Sequence, residues 1–532
     1  MMSTFDVAES RHHWYRCGHY SSRTLVDALT EGAIDFGEVP LTFATVASEG
    51  TWTVAQIHRA ALTVAAGMQQ RGIEPGDAVA VQLTNRPECA VAYQAALLCG
   101  AVLVPIVHVY GPSEVAFILV ESAAKMLVMP AGVRSTSHLE RISGYAAIDT
   151  LDAVVVVDTA ERTNDYVRWS DLARSIDEYV APYVRSDDVC VLLYTSGTVS
   201  APKGVQHSHN SLLAEQESLP LMLAGKQDDV QLVTFPPGHV AGLNSMLRPL
   251  LTGTRSVFLE QWEPQRAAEL ISRFSVTATS GAPVHLSGLL EVSDVATKLA
   301  SLREFLTGAA NVTEELLERA AAVGVTAYRC YGMTEHPTVT SARADDPLSA
   351  RMGTDGVPLP GCGVRIVDGA GRDAAAGVAG EVVVRGPDQF IGYRDPALNE
   401  SALTDDGWFR TGDLGQLDTD GRLRITDRIK DVIIRGGETI SSGQVEDVLE
   451  AHPLIAEATV VAAPDERYGE VVAAVVVVNA GARVDLDDIR RHFAASGLAK
   501  QKTPERLVVV DALPRTALGK VRKAELRGEH FG

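Results

Sequence analysis

A chain of 532 residues exceeds what one hydrophobic core supports and predicts division into domains. Its 46% hydrophobic and 22% charged residues are those of an ordinary soluble globular enzyme. With 47 Lys+Arg against 68 Asp+Glu, the formal charge of −21 argues against nucleic acid and anionic lipid as main partners, and any polyphosphate site must be made electropositive locally.

No Lys/Arg-then-apolar signal segment is visible around Arg11-His12-His13-Trp14, and a cytoplasmic location is expected. Val54 to Gln70 carries apolar residues at helical spacing, followed by a Pro75-Gly76-Asp77 turn and the strand Ala78–Val81. A helix near Pro87–Leu98, a strand near Ala101–Ile106 and a helix from Ser113 to Ser122 leading into Met126–Met129 continue the rhythm. The apolar run from Val91 to Val107 is broken by Gly100 and Pro105, so it reads as a buried helix and core strand, not a membrane span. Asp152–Asp158 and Val189–Tyr194 are further apolar strands. This alternation predicts layered sheets with helices packed on them.

After Gly361 the segments Val364–Val367, Gly380–Val384 and Gly421–Ile425 alternate and are bounded by turns, which predicts a β-rich subdomain. Past Lys430 a unit of about 100 residues reads as α+β, with a helix at Ser442–Ala451 and a strand at Val471–Val478. The charged turn Arg428–Asp431 separates it and is too short for a flexible linker. The six cysteines, Cys17, Cys89, Cys99, Cys190, Cys330 and Cys362, show neither a CxxC pair nor metal-ligand spacing; they read as buried free thiols.

Four stretches carry chemistry. Thr195-Ser196-Gly197-Thr198-Val199-Ser200-Ala201-Pro202-Lys203-Gly204 follows a strand and offers hydroxyls, two glycines for close backbone approach and a mobile cation, which suits a polyphosphate. It lacks the order of a nucleotide P-loop; taken alone, it is as well read as a surface loop. Tyr331-Gly332-Met333-Thr334-Glu335 ends a strand, and its carboxylate suits a magnesium ion shared with phosphate oxygens. Asp413, in Arg410-Thr411-Gly412-Asp413-Leu414-Gly415, is either an Asx-turn residue or a ligand. Lys520 lies in Pro514-Arg515-Thr516-Ala517-Leu518-Gly519-Lys520, near the C-terminal end of the sequence.

Together with Asp427-Arg428-Ile429-Lys430 and Arg435-Gly436-Gly437-Glu438, these motifs resemble, in this order, those of the adenylate-forming superfamily: acyl-CoA synthetases, luciferases and peptide-synthetase adenylation domains. The resemblance runs from about Thr24 to Arg527. Val199 stands where the family carries a hydroxyl residue and Ser200 where it carries glycine, departures that bear on the loop's flexibility and donor count.

The resemblance implies an α/β fold with a large N-terminal domain of layered sheets and helices plus a β-rich subdomain, residues 1–427. A hinge at 428–431, centred on Lys430, and a small mobile α+β C-terminal domain, 432–532, complete it. It implies that Thr195, Ser196, Gly197, Thr198 and Lys203 hold the phosphates of ATP. Tyr331 would stack on adenine, and Gly308 and Ala309, with Ala310, would wall the adenine and acyl group. Asp413 and Arg428 would contact the ribose, Thr334 the α-phosphate, and Glu335 would hold Mg²⁺. Lys520 would bridge the substrate carboxylate and the α-phosphate, and Gly436 and Gly437 would let the pantetheine of CoA pass.

The activity implied is ligation of a fatty, alicyclic or aryl acid to CoA through an acyl-adenylate. Phe235-Pro236-Pro237-Gly238-His239 lacks the aspartate of amino-acid activators. His239 resembles the residue that gates the acyl tunnel, with a packed histidine as the alternative. Ala282-Pro283-Val284, Gly308–Ala310 and His336-Pro337 would line an apolar pocket, and the sequence singles out no cation for a second substrate carboxylate. The alternatives are an acyl-AMP ligase loading a carrier protein, a luciferase-like oxidoreductase and a non-catalytic adenylate-binding protein. The first of these carries an insertion before the hinge, and only 95 positions separate Glu335 from Lys430. The partners implied are ATP, CoA and the acid, with a homodimer as the assembly considered.

Overall fold

The computed structural model describes residues 7–532 apart from 134–135, 146, 196–201, 309–311, 313, 437, 497 and 517–518. Short, continuously apolar runs form its central strands, as expected where both faces of a sheet are covered. Ala78–Val81, Val102–Pro105, Ala124–Pro130 and Ala153–Val157 pair in parallel within an eight-stranded sheet. Val189–Thr195 joins that sheet in parallel with Val102–Pro105 and returns antiparallel as Lys203–Ser208. A second sheet of nine strands is built on the parallel set Val230–Val233, Arg255–Leu259, Ala278–Gly281, Glu304–Thr307 and Thr326–Met333.

The two sheets share one core. Phe43, Val233 and Phe258 of the nine-stranded sheet and Val79, Leu103 and Val191 of the eight-stranded sheet belong to one buried cluster with helices Val54–Gln70 and Pro87–Leu98. The first helix is fixed by sequence: Thr53 and Gln56 form a reciprocal capping box, and Val54, Ile57, Ala61, Val64, Ala65 and Met68 face inward. The second is buried all round, which explains the long apolar run that ends in Val102–Pro105. Further helices cover the outer faces, Pro264–Phe274 on one sheet and Pro112–Ser122 on the other. No helix among the described residues is long and apolar enough to cross a membrane.

The β-rich subdomain is a four-stranded antiparallel sheet of Gly363–Val367, Gly380–Arg385, Phe409–Leu417 and Leu423–Arg428. The last unit packs helices on a five-stranded sheet whose spine is the hairpin Ile455–Asp465 and Gly469–Val478. Asp427 ties the two units together by accepting from the Ser442 backbone N–H at 2.6 Å and hydroxyl at 3.1 Å. The helix at Ser442–Glu450 matches the expected segment to within a residue. The helix Leu25–Asp35 and the strand Pro40–Ala44 precede the region where the sequence shows the alternating pattern. Of the cysteines, Cys17 is exposed and Cys330 and Cys362 are half-buried, which corrects their reading as buried; all six are free thiols.

Candidate active site

A cleft of about 2020 Å³ opens between the large domain and the C-terminal unit. Thr195, Lys203, His239, Gly308, Thr334, Glu335, Asp413, Arg428, Lys430 and Lys520 all line it, drawn from positions more than 300 residues apart. The phosphate-type loop is the connection of an antiparallel pair in which Thr195 opposes Lys203. Ser196, Gly197 and Thr198 lie outside the described residues, as do Ala309 and Gly437.

Thr334 and Glu335 stand in the turn between antiparallel strands Thr326–Met333 and His336–Ser341. That turn is held from two sides. A ring nitrogen of His207 meets the Thr334 carbonyl at 2.8 Å, and the Tyr393 hydroxyl donates to Glu335 Oε1 at 2.7 Å. Lys203 lies over the Tyr393 ring, its Nζ 5.0 Å from the centroid. Gly332 is required here by close approach, because a Cβ would meet the Pro337 carbonyl oxygen at 2.0 Å.

Asp413 is buried on the strand Phe409–Leu417, just after Gly412 at φ +71°. Its Oδ2 accepts from the Tyr331 hydroxyl at 2.7 Å, and its Oδ1 pairs with Arg428 Nε at 3.1 Å. Tyr331 is itself packed against the subdomain core and is not on the cleft wall, so the arrangement gives it a bond to Asp413 where adenine stacking is expected. Gly436, at φ +59°, turns the hairpin between Ile433–Arg435 and Glu438–Ile440 and lies away from the cleft.

Lys520 reaches the cleft from the C-terminal unit through a tight turn in which Thr516 N–H donates to the Lys520 carbonyl at 2.7 Å. Dense surroundings and the cations Arg428 and Lys430 lower its pKa to about 8, against the opposing pull of Asp413 and Glu335. His239, the N-cap of the helix Val240–Thr252, is lowered to about 3, first by burial and then by Lys520. His239 is therefore neutral, and Lys520 acts on it through space.

Of the residues expected to line an apolar acid pocket, Ala282, Pro283, Val284, Gly308 and Pro337 line the cleft. His336 is a correction: it is fully buried, and its Nδ1 is 3.0 Å from Asp388 Oδ2, off the cleft wall. With Cys362 these two bring ligand-type atoms within 4.8 Å of one another, a cluster that sequence spacing conceals. Arg248 is a buried cation that the folded chain brings to the cleft and that the sequence does not single out. The sequence also gave no role to His207, Tyr393, Glu215 or Asn244. A lone arginine in an otherwise apolar helical segment was the signal available for Arg248.

A model described as AMP-binding enzyme matches residues 37–394, and one described as AMP-binding enzyme C-terminal domain matches 444–520. The chain is 35% identical over 535 residues to a medium-chain fatty-acid–CoA ligase of Escherichia coli (strain K12), covering 99% of this chain and 94% of the relative. It is 31% identical over 506 residues to the fatty acid–[acyl-carrier-protein] ligase ScoC of Streptomyces coeruleorubidus, covering 93% and 94%. ATP-bound MatB from Rhodopseudomonas palustris superposes with a TM-score of 0.84 at 29% identity, over 94% of this chain and 98% of that one. The order of motifs, the layered architecture and a model match spanning most of the sequence converge: this chain belongs to the AMP-binding enzyme family.

Proposed function

We propose that this protein is an ATP-dependent carboxylic acid–CoA ligase that forms an acyl-adenylate and passes the acyl group to the thiol of CoA. The observation that carries the reading is the convergence of Lys520, from the C-terminal unit, with Thr334, Glu335 and Asp413 of the large domain on one cleft. A cation there neutralises the charge that builds where the carboxylate oxygen attacks the α-phosphate, and pyrophosphate leaves. Asp413 and Arg428 hold the ribose once their mutual pair opens, and Lys203 with the loop 195–204 holds the departing phosphates. Glu335 keeps its second oxygen uncommitted among the described residues while Tyr393 fixes the first. That donor set fits Mg²⁺, which takes one or two carboxylates beside phosphate oxygens and supplies charge neutralisation. His239 closes the acyl side of the reaction centre as a neutral wall.

Residues 1–427 form the ATP- and acid-binding domain, 428–431 the hinge and 432–532 a mobile domain that turns to admit CoA. A cytoplasmic location agrees with the need for these co-substrates. The deciding experiment is pyrophosphate release with Mg·ATP over short, medium, long, alicyclic and aromatic acids, with and without CoA. Acid-dependent release with AMP and acyl-CoA formed is expected; ATP binding without release under any acid would instead identify an adenylate-binding protein. The similarity to a carrier-protein ligase favours a second reading, in which acyl-AMP accumulates with CoA and is consumed only when a phosphopantetheinyl carrier protein is added.

A further inference from the structure

The far end of the acid pocket has a chemistry of its own, and this inference rests on the ligase reading. The helix Val240–Thr252 is capped at its N-terminus by His239, which Lys520 influences through space. Ala241, Asn244, Ser245 and Arg248 line the cleft, the i, i+3, i+4 and i+7 positions of one helical face. At 1.5 Å per residue, Arg248 stands ~13 Å beyond His239 along the axis.

Arg248 is 2% exposed. Its Nη2 donates to the carbonyls of Leu223 at 2.7 Å and Ala224 at 3.0 Å, which close the end of the helix His209–Met222. Nη1 reaches Gln231 Oε1 only at 3.5 Å, and Nε donates to nothing among the described residues. Among the described residues Arg248 forms no ion pair; Asp229 and Glu215 act on it only through space. Asp229 is engaged by Arg303 and by the Thr277 hydroxyl. Glu215 accepts from Asn244 at 3.2 Å and Thr338 at 2.9 Å, and burial and neighbouring Asp388 push its carboxyl well above the usual range.

Capping a helix end accounts for one of the three guanidinium nitrogens. A buried cation with unused donors is costly unless a partner arrives, and Arg248 is one of the residues that line the cleft. We propose that Arg248 binds an oxygen acceptor, keto or carboxylate, at the end of the acid remote from the reacting carboxylate. The preferred substrate is then an apolar-bodied acid functionalised at its tail, not an unsubstituted alkanoate. The apolar side chains of Leu219, Met222 and Leu306 on the cleft wall would contact the body between the two polar ends.

The test compares octanoate with 7-oxooctanoate and octanedioate, and the hexanoate and decanoate sets likewise, by kcat/KM for acyl-CoA formation. The better tail-functionalised acid is expected to exceed its matched alkanoate on the order of 10²-fold or more, because rejecting the alkanoate leaves the donors unpaired. In Arg248→Met that ratio should collapse toward unity, mostly through KM. Arg248→Lys, which keeps charge with fewer donors, substitutes for it if melting shows that the methionine variant does not fold. Preference for keto over dicarboxylate, or the reverse, identifies the acceptor. Alkanoates preferred at every length, or a ratio unchanged in the folded variant, would overturn the proposal. Calorimetric binding of the same acids reads the preference without turnover, so absence of pyrophosphate release with every acid would count against the ligase reading while binding still decides this one.

Discussion

Lys520 is half-buried yet densely surrounded, and burial together with Arg428 and Lys430 lowers its pKa to about 8. Below that pH the ammonium is present; above it the lysine loses the charge that the proposed adenylation role requires. The kcat/KM of adenylation should therefore fall as pH rises through about 8, while kcat, read with anionic substrates bound, should fall at higher pH. A profile flat to about pH 10, the ordinary lysine range, would show that the charge is not used. Lys520→Ala should lose 10²–10³ in adenylation, about 3–4 kcal/mol, and still convert supplied acyl-adenylate to thioester. Equal loss in both half-reactions would contradict that role. Residues with motif neighbours, such as Lys520, Thr334 and Glu335, were legible in the sequence. His207 and Tyr393, which hold the Thr334–Glu335 turn, were not, because their roles depend on contacts 127 and 58 positions away.

Glycines in two strands act on the site by different physics. At Gly412 a Cβ would meet nothing within 4 Å, so Gly412→Ala bears only the left-handed backbone cost, about 1–2 kcal/mol. Its expected signature is a modest drop in melting temperature and a raised KM for ATP, since Asp413 follows directly, with KM for the acid unchanged. Gly332→Ala drives a Cβ into the Pro337 carbonyl and should part the strands that present Thr334 and Glu335. Adenylation should be lost far beyond the Gly412 variant; a Gly332 variant that is the milder of the two, by melting and KM, would refute the distinction. Central strands and the helices Val54–Gln70 and Pro87–Leu98 were legible because burial on both faces and helical periodicity leave local traces. The strand Pro40–Ala44 leaves no such trace, since its burial is decided by its partner Arg255–Leu259.

Over the whole molecule, the cleft exists only while the C-terminal unit holds Lys520 against the large domain. Lys430 lies in the one-turn helix Ile429–Asp431 between the two, where few backbone angles need change for one unit to turn on the other. Lys430→Pro fixes one of those angles. Adenylation, measured by pyrophosphate release, should persist, and conversion of acyl-adenylate to thioester should fall steeply; loss of the first step alone would remove the hinge from this position. The sequence by itself determined the fold class, the family and the motif residues, because backbone turns, strand runs and phosphate-binding loops need particular residues at fixed local spacing. Tertiary structure alone decided that Tyr331 bonds Asp413, that His336 faces Asp388 off the cleft, and that Arg248 lines the cleft with a donor unmatched among the described residues. Those outcomes depend on which distant segments share one desolvated space, and burial rather than residue type then sets charge, protonation and the partner each group lacks.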